Sequence, residues 1–264
     1  MTERHDPPAL ELRSVSRYFG SLRAVDDVSL SVSPGARHAV IGPNGAGKST
    51  LFALVAGTRP PTSGRILVDG DDVTAVPEHK RVARGIVRTF QNSSLFLPLT
   101  ARENVLLALQ RHAGISWSML RPLRRRSDLL DQADDLLNQV YLRDRAAVPA
   151  GALSHGERRQ LEVAVALACR PRLLLFDEPA AGMSAADTAK FSELVQQLPA
   201  EMTVLLVEHD LDVVFDVAET VTVLHLGRVL LTGSPEQVRA SHQVQSAYLG
   251  SEDTTDIFPG ADHA

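Results

Sequence analysis

A chain of 264 residues with a formal net charge of −5 carries no overall electrostatic footprint for nucleic acid. Hydrophobic residues make up 44% and charged residues 22%, which excludes a disordered or fibrous chain and suffices for a buried core.

Residues 1–8 are polar and carry no apolar signal-peptide segment. Strands are expected at residues 10–15, 28–32, 37–41 and 66–68, the last before the turn-forming Asp69-Gly70. A helix should start near Lys48 and run to about Ala56, with Gly57 near its end and Pro60-Pro61 blocking continuation. From about Arg88 to Ala168 the period turns helical. Thr100-Ala-Arg-Glu103 has capping-box spacing before Val105, Leu106 and Leu109, and residues 128–141 form a second amphipathic stretch. Cys169 is the one cysteine, so no intrachain disulfide is possible; beside Ala166, Leu167 and Ala168 it reads as a small buried hydrophobe. Strand and helix then alternate: 173–176, 185–198, 203–207 and 211–218. That order predicts βαβ units, a mainly parallel sheet and helices on both faces. No apolar run reaches bilayer length, so work at a membrane would need another chain to span it. The tail after Gly250 is acidic and expected to be mobile.

Gly42-Pro-Asn-Gly-Ala-Gly-Lys-Ser49 matches the phosphate-loop pattern, between a strand and a helix. Its glycines let backbone N–H groups point inward at phosphate oxygens, next to the positive end of the helix dipole. Lys48 adds a point charge for the β- and γ-phosphates, and the Ser49 hydroxyl suits Mg²⁺. Gly42, Asn44, Gly45, Gly47, Lys48, Ser49 and Thr50 form the expected nucleotide-binding set for a purine nucleoside triphosphate. An accidental glycine-rich turn would not also have the strand before it and the helix after it.

Leu173-Leu-Leu-Phe-Asp177-Glu178 is an apolar strand running into two acids. In a parallel sheet the strand C-termini line the ligand crevice, so both carboxylates should face the phosphate loop. Asp177 suits the Mg²⁺ shell, directly or through water, and Glu178 can polarise the attacking water. A helix cap or solvated turn is the ordinary role of an acidic pair, but four apolar residues leading into this one argue against that.

Between these motifs stands Leu153-Ser-His-Gly-Glu157, which resembles the Leu-Ser-Gly-Gly-Gln signature of ABC ATPases. The resemblance runs from about Leu10 to Gly250. It implies an α/β fold: a phosphate-loop NTPase core of the ABC ATPase type, with an N-terminal antiparallel β region and an α-helical subdomain. The whole chain, 1–264, is then one domain, with its core and β region at about 8–90 and 169–250, its helical subdomain at about 91–168 and its tail at 251–264. The resemblance further implies that Tyr18 stacks on adenine, that Gln91 reaches Mg²⁺ and water, and that His209 contacts the γ-phosphate. A lone Tyr or His at such places is more often structural; position relative to the motifs raises the functional reading. Ser154, Gly156 and Glu157 would bind, in trans, the nucleotide held by a second subunit, so the chain should form a homodimer or pair with a similar ATPase. His155 stands where a glycine is commoner, Glu157 where a glutamine is, and Ser184 where many relatives have aspartate. With Asp187 three residues on, Ser184 is also a good helix N-cap.

Residues 85–105, Asp177-Glu-Pro-Ala-Ala-Gly182, Val207-Glu-His-Asp210 and Ala247-Tyr-Leu-Gly250 look like those of branched-chain amino-acid importers, a subfamily that also carries amides and urea. The implied partners are integral membrane permease subunits and, indirectly, a substrate-binding protein, with no nucleic acid. The implied location is peripheral, on the cytoplasmic face of the inner membrane. An insert, 111–127, holds Trp117, Met119, Arg121 and Arg124–Arg126, which reads as a solvated loop before a lipid or partner contact. Leu95, Phe96 and Leu97 are candidates for gripping the membrane subunit, or else for packing in the helical lobe. The alternatives are the ATPase of a lipopolysaccharide-type exporter and a non-transport ABC ATPase. The second lacks its usual heptad runs and zinc cysteines here.

Overall fold

The computed structural model describes residues 7–89, 95–112 and 127–248. Leu10, Leu12 and Val15 of β1 (Leu10–Phe19) are buried with Val28, Leu30 and Val32 of β2 (Leu22–Val32), while Arg13 and Ser29 face solvent. These two strands pair antiparallel, Phe19 opposite Leu22 across the Gly20-Ser21 turn. With β4 (Ser63–Val68) and the short β5 (Asp71–Asp72) they make a four-stranded sheet in the order β2-β1-β4-β5. This is the antiparallel region expected near the N-terminus.

The second sheet holds β3 (Arg37–Ile41), β6 (Ile86–Arg88), β7 (Leu173–Asp177), β8 (Thr203–Val207), β9 (Thr220–His225) and β10 (Arg228–Gly233). Its order is β10-β9-β3-β8-β7-β6, parallel throughout except for the β9–β10 hairpin. β3, β7 and β8 are buried along their whole length, which is why β7 and β8 read as near-continuous apolar runs, while β3 buries Arg37 and His38 ahead of Ala39, Val40 and Ile41. Their period of two still sorts the cores. Leu173, Leu175, Leu205 and Val207 join α1 (Lys48–Ala56) and the first sheet on one face. Leu174, Phe176, Val204 and Leu206 join the remaining large helices on the other.

Those helices are α3 (Ala101–His112), α4 (Ser127–Gln139), α5 (His155–Ala168), α6 (Ala185–Gln196) and α7 (Leu211–Val217). α3 begins in the expected capping box: Glu103 N–H donates to Thr100 Oγ1 at 3.2 Å, and Thr100 N–H to Glu103 Oε2 at 2.9 Å. α4 stops two residues earlier than its pattern suggests; Tyr141, at φ 60°, leaves the helical region soon after. Beyond Ala218, where the sequence pattern yields no element, lie β9, β10 and the short helices α8 (Pro235–Arg239) and α9 (His242–Tyr248).

One buried cation joins the two layers. Arg81, 1% exposed on the short α2 (Glu78–Val82), donates to the carbonyls of Leu54 and Val55 in the last turn of α1, at 2.8 and 2.6 Å. It also donates to Val73 and Val76 beyond β5, at 2.7 and 2.8 Å. Burial lowers its pKa to about 10, which leaves it charged at neutral pH.

Candidate nucleotide site

β3 delivers the chain to Gly42, and the loop closes into α1 through Gly47 at φ 105°, with no side-chain cap on the helix. A side chain at Gly47 would run into the backbone carbonyl of Ala24. Glycine therefore serves both conformation and space there. Gly227 N–H, at the turn between β9 and β10, donates to Ala46 O at 3.0 Å and braces the loop from the other side. The Lys48 ammonium, 7% exposed, donates to Gly42 O at 2.5 Å and Pro43 O at 3.2 Å, so it folds back over its own loop. Asn44, Gly45 and Ser49 are exposed, and Thr50 is half-buried. The uncapped first turn of α1 leaves its amides directed at the loop's concavity, where an anion fits. Tyr248, buried on α9, sets its hydroxyl at the Gly42 backbone N–H, and burial raises its phenol pKa.

β8 neighbours β3 in the sheet and β7 lies next to β8, all three parallel, so β7 and β8 end on the side of this loop. Asp177 is buried and ion-paired to Arg88 on the adjacent β6. Glu178 turns sharply, at φ 48°, and its N–H donates to Val207 O at 2.8 Å. That bond holds the Glu178 loop against the end of β8. Two residues on, His209 is exposed. The structure thus gathers the phosphate loop, Asp177, Glu178 and His209 at one edge of the parallel sheet. Gln91 lies outside the described residues, as does most of the 111–127 insert.

Two aromatic side chains, Tyr18 and Phe19, stand at the β1–β2 hairpin. The Tyr18 hydroxyl donates to Asp26 Oδ1 at 3.0 Å; Arg228 donates to Asp26 Oδ2 through Nε at 3.0 Å and Nη2 at 2.8 Å. The Arg228 bonds hold the Asp26 carboxyl below the usual range. Tyr18 is half-buried and committed to this network, whereas Phe19 next to it is the exposed ring, with the Arg17 and Arg59 guanidiniums over it. Alternation puts neighbouring side chains on opposite sides of a strand, a signal available in the sequence but blurred by register shifts between Leu12 and Tyr18.

The signature loop starts α5. Ser154 is its N-cap: Glu157 N–H donates to Ser154 Oγ at 3.2 Å, and Ser154 N–H to Glu157 Oε2 at 2.8 Å. The Ser154 bond first, with Arg145 beside it, holds the Glu157 carboxyl below the usual carboxylate range. His155 swings away, its Nε2 3.2 Å from Ala181 O, and Gly156 is buried against the Asp187 carboxylate. Ser184 caps α6 and also donates to Asp187 Oδ2 at 2.7 Å. Residues that sequence reasoning gave no role are Arg88, Asp26, Phe19 and Glu208, the last joined to both the Glu178 and the His209 loop.

A phosphate loop at the end of a central strand, with the acidic end of β7 and the histidine after β8 beside it, defines an ATP-binding phosphate-loop hydrolase. The chain belongs to the ABC transporter family, which matches residues 25–181. It is an ATP-hydrolysing subunit of that family. Residues 228–254 match a second family, described as branched-chain amino acid ATP-binding cassette transporter. The high-affinity branched-chain amino acid transport ATP-binding protein BraF of Pseudomonas aeruginosa is 40% identical, over 92% of this chain and 98% of its own. LivG of Escherichia coli K12, named likewise, is 36% identical over the same shares. The ADP conformation of MJ1267, an ATP-binding cassette of an ABC transporter, superposes with a TM-score of 0.82 at 28% identity, covering 92% of this chain and 99% of that one.

Proposed function

We propose that this subunit powers an importer of branched-chain amino acids or related small polar solutes through separate membrane subunits. The observation that carries the ATP-driven part is the Glu178–Val207 backbone bond, which seats the acidic end of β7 against the His209 loop next to the phosphate loop. The C-terminal family match and the BraF and LivG likenesses support the importer over the lipopolysaccharide-exporter alternative. Among the described residues no helix is long and apolar enough to cross a membrane. That fits a peripheral subunit on the cytoplasmic face, docked on permease chains. Phe96 and Leu97, 60% and 46% exposed before α3, are suited to that contact.

In this reading the loop amides and Lys48 hold the triphosphate, and the β1–β2 hairpin receives the base, with Phe19 offering the more exposed ring, flanked by Arg17 and Arg59, and Tyr18 supporting it from the Asp26 side. Ser49 Oγ and the Asp177 carboxylate are two hard oxygens, a donor set that suits Mg²⁺ held otherwise by phosphates and water. Mg²⁺ bound there would neutralise charge developing on the phosphates. Glu178 orients and deprotonates the attacking water, and His209 faces the γ-phosphate; the role of Gln91 is at Mg²⁺ and that water. Ser154 and Gly156 complete the site of a second subunit, as the N-terminus of α5 offers N–H groups to an anion. Glu157 keeps that N-terminus in shape.

Glu178→Gln is expected to bind ATP normally and to lose turnover by about 100-fold or more. Steady-state hydrolysis of purified protein checks this, and undiminished turnover would remove Glu178 from the role. Uptake of labelled leucine, valine, amides and urea by cells carrying Lys48→Ala identifies the cargo.

A further inference from the structure

The loop between β8 and α7 holds a carboxylate that the scheme above does not use. Glu208 is 0% exposed. Its Oε1 accepts Ala180 N–H at 2.8 Å; its Oε2 accepts His209 N–H at 2.8 Å and Asp210 N–H at 3.3 Å. Oε2 also lies 3.5 Å from Nδ1 of the His209 ring. Ala180 stands two residues after Glu178. One side chain therefore joins the loop that carries Glu178 to the loop that carries His209, and lies against the imidazole as well.

Packing alone does not call for such a group. A buried carboxylate loses its hydration, and burial pushes the Glu208 carboxyl up while the three amides oppose that shift. An apolar side chain would fill the space without that cost, but it would take the acceptor from three N–H groups, that of Ala180 buried and those of His209 and Asp210 partly buried. The donors also come from two separate loops, and each loop holds a residue assigned to hydrolysis. A carboxylate at Nδ1 favours the tautomer with its proton on Nδ1, which leaves Nε2 on the exposed side of the ring.

We propose that Glu208 is a positioning residue for ATP hydrolysis: its carboxylate clamps the Glu178 loop to the His209 loop and sets the orientation and tautomer of the His209 ring. The proposal rests on the reading of Glu178 and His209 as the hydrolytic pair. Asp210, next in sequence, caps α7 through its own side chain and so keeps the far end of the loop fixed while Glu208 holds the near end.

Glu208→Gln keeps size and burial but loses the charge and one of the two acceptor oxygens. In the full chain it is expected to lower kcat about 10- to 100-fold, as misplaced catalytic groups do, with ATP affinity and KM kept within about twofold. Ring ¹⁵N spectra of labelled histidine, with His209 assigned through His209→Ala, should show that ring reverting toward the Nε2–H tautomer. Wild-type turnover with unchanged His209 signals overturns the proposal. So does a turnover loss matched by an equal loss of ATP affinity with unchanged His209 signals, which would mark a structural role only. Glu178→Gln and His209→Ala are measured alongside: if both retain turnover, the hydrolytic pair itself is wrong, whereas the Glu208→Gln spectra still report on the clamp. If Glu208→Gln fails to fold, Glu208→Asp, which keeps the charge one methylene short of the amides, is judged by the same readouts.

Discussion

Two helices of this protein begin at loops assigned to phosphate, and they begin differently. α1 opens from Gly47 in the left-handed region with no side-chain cap, so its first-turn amides face outward into the loop. α5 opens from Ser154 inside a reciprocal capping box with Glu157, backed by Arg145. The first terminus is shaped by close backbone packing and carries no side-chain cap; the second caps itself. A phosphate caught by α1 meets a terminus without a side-chain cap, whereas one approaching α5 meets a terminus already ordered and contributes orientation more than folding.

The same substitution at both glycines breaks or sharpens that contrast. Gly47→Ala puts a methyl group at φ 105° against the Ala24 carbonyl. Strain and overlap of that kind cost a few kcal/mol, so ATP affinity should fall by about 100-fold or more. Gly156→Ala meets the Asp187 side chain first, which can move at the expense of its bond with Ser184. It should leave ATP binding by the single subunit intact and cost about 1 kcal/mol of stability through the weakened α6 cap. Equal losses of affinity in a nucleotide titration would erase the distinction between the two termini.

On the base side the expected effects are smaller. Phe19→Ala should weaken ATP binding about 10-fold, in line with the loss of one stacked ring. Tyr18→Phe, which removes only the bond to Asp26, should change it by less than about threefold. A larger loss from Tyr18→Ala than from Phe19→Ala would return the stacking role to Tyr18. The smallest effect concerns the self-capped terminus. The Glu157 carboxyl titrates below its ordinary value of 4.5, so its contribution is fully present above that pH and is lost as the pH falls below it. Glu157→Gln should remove this acid sensitivity and cost about 0.5–1 kcal/mol at neutral pH. Thermal melts at pH 7 and pH 4 check both, and an identical pH dependence in the variant would contradict the assignment.

What could be read from the sequence was what local spacing encodes. The phosphate loop, α1, the cap on α3 and the acids at the end of β7 are contiguous patterns in which each residue announces its neighbour's role. The helical stretch of α4 and the alternation from β7 to α7 follow from periodicity. Other features need tertiary proximity. Arg88 and Asp177 are 89 positions apart and meet only because β6 and β7 are adjacent strands. Glu208 reads as one more polar residue at a strand end until the fold brings Ala180 to it. Tyr18 and Phe19 are equivalent as aromatics, and only the bulged register of β1 says which one is open. β9 and β10 follow a helix without glycine or proline punctuation until Gly227, so no break marks their start.

Arg81 gives α1 a second fixed point. Its guanidinium sits on the carbonyls of Leu54 and Val55, at the end of the helix opposite the phosphates, and also grips Val73 and Val76. A cation at the carbonyl end and an anion at the amide end match the helix electrically along its axis. Mechanically, α1 becomes a strut anchored at its base. When a triphosphate loads its tip, the force is carried through the anchor into the edge of the antiparallel sheet, so two sheets that share no strand respond to the nucleotide as one rigid part.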